Sequence, residues 1–255
     1  MSRTKKVTRG SGNPVQISVN ARPNSGMFVM YNRSTKEKQE VATISLLILD
    51  ADRSSVSGYS SDYDTGYVSN LVMNTKKEEF KVGVFDNGSF KLIAEGLYQD
   101  IKKDLSEAHY TKNVFGLIKN DEGVYEIARL ELVGRARSAF FDWFAENEDE
   151  AYEGVVEFSF SKQKYKYVKK DNSEKVVTDN SKATTNYHKL LITINEADDE
   201  DIEAADANDI KLQTYFKGTG AASKEESGSN ESQATGTAPS APEDSEEEDK
   251  DDLPF

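Results

Sequence analysis

Between residues 152 and 170 the chain alternates with period two, and the meaning of one face changes halfway along. Val156, Phe158 and Phe160 lie on one side of an extended strand, and Lys162, Lys164 and Lys166 continue that same side, because successive side chains of a strand point to opposite faces. The first three predict a core-facing strand. Three lysines cannot follow them inward, since an unpaired buried charge costs far more than the packing of one strand returns. Beyond about Ser161 the strand is therefore expected to leave the body and run into water. Asp171, Asn172 and Ser173 supply a turn before Val176 and Val177, which predicts a projecting basic hairpin with Gln163, Tyr165 and Tyr167 on its other side. Such a hairpin needs a sheet to project from.

The rest of the body supplies one. Short runs rich in β-branched and aromatic residues recur at 15–19, 27–31, 41–49, 68–73, 80–85, 90–94, 114–118, 124–133 and 187–194, each of strand length. The run at 41–49 is nearly continuous in apolar residues, as a central buried strand would be. Asp86-Asn87-Gly88 and Asn120-Asp121-Glu122-Gly123 are hairpin turns by composition. Residues 50–67, a stretch of Ser, Asp, Gly and Tyr, read as a long loop. Asp50 and Asp52 open a calcium-loop pattern there, but Ser55 and Ser61 stand where that loop needs Gly and Glu, which excludes it. Helices are expected at 97–105, at 135–147 with Ala136, Ala139, Phe140, Trp143 and Phe144 on one face, and at 198–216 with acids in the first turn. Trp143 and Phe141 read as core. These patterns predict a mainly β body with one to three helices.

The net charge of −14 is not spread along the chain. Residues 218–255 carry −9, residues 196–217 carry −6, and residues 1–195 carry +1. The acidity is thus a property of the C-terminal end, and the body is free to present a basic face. Cysteine is absent and histidine occurs only at His109 and His188, which removes disulfides, thiol nucleophiles and ordinary zinc sites. The first thirteen residues form a basic arm with Lys5, Lys6 and Arg9, without the apolar core of a secretory signal. No stretch has the length of a membrane span.

Catalysis finds little support. Glu157 near Lys162 and Lys164 is the nearest approach to a carboxylate-metal nuclease core, no glycine-rich phosphate cradle is present, and no catalytic residue, metal or cofactor is expected. Binding a single strand asks for less: cations along the phosphates and aromatic faces for the bases. Residues 161–182 supply Lys162, Lys164, Lys166, Lys169, Lys170, Lys175 and Lys182 against three acids, a local charge of +4, with Tyr165 and Tyr167 between the lysines. Tyr59 and Tyr63, followed by Tyr67, are further stacking candidates from the 50–67 stretch. The plain alternative is an edge hairpin whose lysines deter aggregation.

From Gly218 to Asp252 the composition collapses to small and acidic residues, which cannot build a core and should form a disordered tether. Asp251 and Asp252 then precede Leu253, Pro254 and Phe255, apolar groups that a solvated acidic segment does not need. Phe255 can fill an apolar pocket while its carboxylate meets a basic rim, so these five residues read as a protein-docking tip. The tip resembles that of the replication-associated single-stranded DNA-binding proteins of bacteria and tailed phages, in which an acidic run ends in Pro-Phe. That resemblance implies an OB-fold-like barrel with extensions over residues 14–217, between the arm and the tail. It also implies coating of single-stranded DNA in replication, recombination and repair, recruitment of partner proteins through the tip, and a cytoplasmic location in a bacterial cell or phage-infected host. A rival reading from another class is an acidic mimic of DNA that fills a partner's nucleic-acid groove with residues 196–209 and the tail.

Overall fold

The computed structural model describes residues 12–168, 173–177 and 186–225 of the chain. The fold is mainly β, organised around one long strand, β9 (Ala108–Lys119). One edge of β9 pairs antiparallel with β10 (Tyr125–Val133) over its whole length, and β10 pairs in parallel with β1 (Ile17–Arg22), then β2 (Met27–Asn32) and β3 (Lys38–Val41). The other edge of β9 is shared by two strands. β4 (Thr43–Asp50) takes its C-terminal end and β5 (Ser54–Ser60) its N-terminal end, with residues 51–53 between them as a corner. From β5 the sheet continues through β6 (Thr65–Ser69), β7 (Phe80–Asp86) and β8 (Ser89–Gly96); from β4 it continues to β11 (Gly154–Val168), which also pairs with β12 (Ser173–Val176) and β13 (Asn186–Glu196).

This branching explains why the described strands do not close into the expected barrel. The main path ends on the free edges of β3 and β8, because the edge of β9 that would complete a ring is divided between strands that lead apart. The β4 branch does curl back. His188 N–H at the start of β13 donates to the Pro23 carbonyl in the β1–β2 turn at 2.8 Å. Gly26 in that turn has a φ of +70°, and a Cβ there would lie 2.9 Å from the His188 ring, so the approach requires glycine on both counts. One backbone bond is not a ladder, and the sheet stays open at this seam.

Two helices cover the curled part. α2 (Gly134–Glu153) lays Ala136, Phe140 and Ala151 against Val19, Phe28, Leu46, Leu130 and Phe158. It is longer than the sequence predicts and kinks at Asn147, whose side-chain amide donates to the Trp143 carbonyl at 2.7 Å. Trp143 packs on this core as expected, but Phe141 is exposed, with the Lys112 ammonium 5.0 Å from its ring. On the opposite face, α3 (Asp199–Glu225) buries Leu212 and Phe216 against Leu47, Phe115 and Leu117. Asp198 and Asp201 cap its start reciprocally, each side chain accepting the other's backbone N–H at 2.8 and 3.2 Å, as in a capping box. The helix runs past Gly218, so the tail boundary shifts; the basic arm through Ser11 and the tip Asp251, Asp252, Leu253, Pro254 and Phe255 lie outside the described residues.

The expected loop at 50–67 is instead most of β5 and β6. These strands escape an apolar-period reading because β5 is held to β9 by polar contacts, one buried and two partly buried: Ser55 to Asn113 at 2.9 Å, Ser57 to Thr111 at 2.6 Å and Ser54 to Tyr110 at 2.7 Å. Buried serines are tolerated when so partnered. Tyr67 faces inward, 7% exposed, beside Phe80, Val82 and Val84, which are fully buried. The helix expected at 97–105 shrinks to α1 (Tyr98–Ile101) and a 3-10 turn at Lys102–Asp104, with Ile101 and Leu105 closing this second core.

Candidate nucleic-acid interface

The strand that changes character in the sequence changes course in the structure. Up to Phe160, β11 is flanked by β4 and β13, and Val156 and Phe158 are fully buried. Between Phe160, opposite Leu190, and Lys164, opposite His188, the register shifts by a bulge. Ser161 staples that bulge: its carbonyl accepts from His188 Nδ1 at 2.6 Å and its hydroxyl oxygen accepts from the Lys189 backbone N–H at 2.9 Å. Beyond it β11 projects, flanked by β12 and the start of β13. A bulge bends the bulged strand, and past this one the face that buried Val156 and Phe158 carries the exposed Lys162, Lys164 and Lys166.

Register then sorts the side chains. Lys166 stands directly opposite Lys175, with Lys164 two residues away on the same face; all three are exposed, as is Lys162 in the bulge. Like charges directly opposite each other disfavour a ladder, and this face gathers three of them. The other face holds Tyr165, Tyr167, Glu174 and Tyr187. The hairpin lysines and tyrosines, interleaved in sequence, thus occupy opposite faces. The cations that meet the rings come from elsewhere: Lys189 Nζ lies 4.3 Å from the Tyr165 centroid, and the Arg135 guanidinium, from the first turn of α2, lies 3.5 Å from that of Tyr167. Neither was legible as a site residue, because nothing in the sequence places the first turn of α2 beside the hairpin. Lys169 and Lys170 lie outside the described residues.

Glu174 sits among these cations. Its carboxylate accepts from the Tyr187 hydroxyl and pairs with the Lys189 ammonium. Burial by itself would raise the Glu174 carboxyl, but the hydrogen bonds of Lys189 and Tyr187 and the charges of Lys189 and Arg135 outweigh it and hold the carboxyl below its ordinary value. Burial first, and the Glu174 hydrogen bond second, push the Tyr187 hydroxyl up.

The remaining stacking candidates are on the lobe formed by β5 to β8, away from the projecting hairpin in the sheet path. Tyr59 is 48% exposed and its hydroxyl donates to Asp64; Tyr63 is partly buried, with Lys91 Nζ 4.4 Å from its centroid. Two residues that sequence reading passed over join Tyr59 on the outer face by register: Phe85 and Phe90, each about half exposed, with ring centroids 5.8 Å apart in a T-shaped pair. The signal was available, since Phe80, Val82 and Val84 claim the inner face and leave Phe85 outside.

A groove of about 620 Å³ lies between β2, β3, β4 and the turn joining β9 to β10. Glu37, Asp121, Glu126 and Asp201 line it against one lysine, Lys119, so it does not suit a phosphate backbone. Among the described residues no group of three or more His, Asp or Glu is placed to hold a metal ion, and no helix is long and apolar enough to cross a membrane. Compared with models of known protein families, with curated proteins and with solved structures, the chain matches none.

Proposed function

We propose that this chain binds single-stranded DNA without strong sequence preference, as a non-enzymatic coat during replication, recombination or repair. In this reading the projecting end of β11 and β12 is the contact surface, and the tip at Leu253 to Phe255 recruits partner proteins, as the resemblance of the tail implies. The observation that carries it is the two-faced hairpin: Lys164, Lys166 and Lys175 gathered on one face, and tyrosines with Arg135 and Lys189 on the other. Cations for phosphates and rings for bases are the two requirements of sequence-tolerant strand binding. The curled part of the sheet, β1, β10, β9, β4, β11 and β13, is read as an open relative of the OB-like barrel. The setting is the cytoplasm of a bacterial cell or an infected host. Titration of fluorescent dT oligonucleotides against duplex of equal length, at several salt concentrations, tests this. Preference for dT with a salt slope near −0.7 per phosphate contacted is expected. Equal affinity for both, or no binding, sinks the reading.

A DNA mimic is favoured by one observation, the acids Asp199, Glu200, Glu203 and Asp206 exposed on a helix that Leu212 and Phe216 anchor to the body. A mimic has no use for the hairpin lysines. Changing Lys164, Lys166 and Lys175 to Glu separates the readings, since it leaves a mimic's inhibition of its partner intact and abolishes strand binding.

A further inference from the structure

Building on the single-strand reading, we infer that Tyr187, Lys189 and Arg135 form a seat for one backbone phosphate, and that in the free protein the carboxylate of Glu174 occupies it as an internal anion. The Tyr187 hydroxyl and the Lys189 ammonium both point at one carboxylate, and Arg135 is fixed alongside by its stacking on Tyr167 at 3.5 Å. A phenolic O–H, an ammonium and a guanidinium are three donors without an acceptor role here, and carboxylate and phosphate oxygens satisfy such a set alike. The rings beneath the cations pre-position them. Lys189 lies over Tyr165 and its backbone is tied to Ser161, so neither cation has to be ordered when a strand arrives.

The seat is open to solvent: the Lys189 and Glu174 side chains are 36% and 30% exposed. Its occupant is held on a light element. β12 is four residues long and, among the described residues, pairs with the projecting end of β11 alone, so displacing Glu174 disturbs few ladder bonds. Glu174 is also the only acid among the described residues of the projecting hairpin, 161–168, 173–177 and 186–190. A carboxylate serving solubility would face water; this one is turned into the cations that a phosphate needs. An entering strand therefore exchanges one anion for another, and the exchange moderates affinity.

Glu174→Gln keeps the shape and a hydrogen-bond acceptor but removes the charge. In the full chain it is expected to tighten dT binding about three- to tenfold near 0.1 M salt and to steepen the salt slope by about 0.7, one added phosphate contact. Removing any acid near a DNA site tightens binding somewhat, so the decisive variant is Glu174→Gln combined with Tyr187→Phe, which changes no further charge. Loss of most of the gain in the double variant supports the seat. Full retention of the gain, or a Glu174→Gln protein that melts like the parent yet binds with unchanged or weaker affinity, overturns it. Should Glu174→Gln fail to fold, acylation of Lys189 in the unmodified chain decides: protection by dT supports the seat, and equal acylation with and without dT refutes it. Absence of dT binding by the parent chain is a different result and sinks the single-strand reading itself.

Discussion

On the β11–β12 hairpin the tyrosines already have partners. Lys189 lies over Tyr165, Arg135 over Tyr167, and the Tyr187 hydroxyl is turned to Glu174. On the β7–β8 hairpin, Phe85 and Phe90 are packed edge to face against each other with about half of each side chain in water, and at the root of the hairpin Lys81 pairs with Glu95 at 3.3 Å. The difference follows from charge density. Where cations are crowded, aromatic faces become their resting places, because a ring attracts a cation and shields it from its neighbours. Phe85 and Phe90 have only each other, although Lys91 of the same hairpin does lie over Tyr63. A base that stacks on Tyr165 or Tyr167 has first to displace a cation, which then becomes available to a phosphate; a base on Phe85 displaces nothing and finds no cationic track.

The largest effect expected on either hairpin is at the root of the bare one. Phe80, fully buried, should cost about 3–5 kcal/mol in denaturant unfolding when changed to Ala, against about 1 kcal/mol or less for Phe85→Ala five residues along the same strand. Similar costs at the two positions would break the assignment of inner and outer faces. Next comes Arg135→Ala, which strips the guanidinium from Tyr167. It should weaken dT binding roughly fivefold, the equivalent of about 1 kcal/mol, and flatten the salt slope by about 0.7.

A smaller effect concerns pH. The Glu174 carboxyl is held below its ordinary 4.5, so its contacts contribute stability that is complete above that value and is lost as pH falls through the lower folded-state value. The Tyr187 hydroxyl is held above its ordinary 10.0, so its contribution is complete below that value and is lost as pH rises through the higher folded-state one. The ring resonances of Tyr165 and Tyr187 should therefore stay constant in NMR between these limits and shift outside them. A shift near neutrality would contradict the Glu174 contacts. The smallest effect is predicted for Phe85→Ala with Phe90→Ala together, which should leave the salt slope of dT binding unchanged.

Much of the fold was legible where burial imposes a period. The runs at 41–49, 80–85, 124–133 and 187–194 became β4, β7, β10 and β13 because each buries apolar side chains, and 90–94 became β8 as the hairpin partner of β7 although none of its residues is fully buried. The alternation from Val156 to Lys166 foretold where β11 leaves the core. What it could not foretell is the bulge at Ser161, which depends on His188 and Lys189 from a strand distant in sequence. β5 was hidden for a related reason: Ser54 and Ser55 are buried against Tyr110 and Asn113 of β9, and a local window sees mostly polar residues. The candidate site was half legible. Its lysines form a run, whereas Arg135 and Lys189 join it only through the packing of α2 and β13, and the sorting of lysines and tyrosines to opposite faces follows from pairing register rather than from their order.

The most direct test compares the salt dependence of dT binding for the parent chain and for a variant with Lys162, Lys164, Lys166 and Lys175 all changed to Glu. The parent should bind dT with a slope of several units, and the variant should lose most of both affinity and slope, roughly 0.7 for each phosphate contact removed. A variant that binds dT with the parent's affinity and slope would contradict binding through the hairpin lysines.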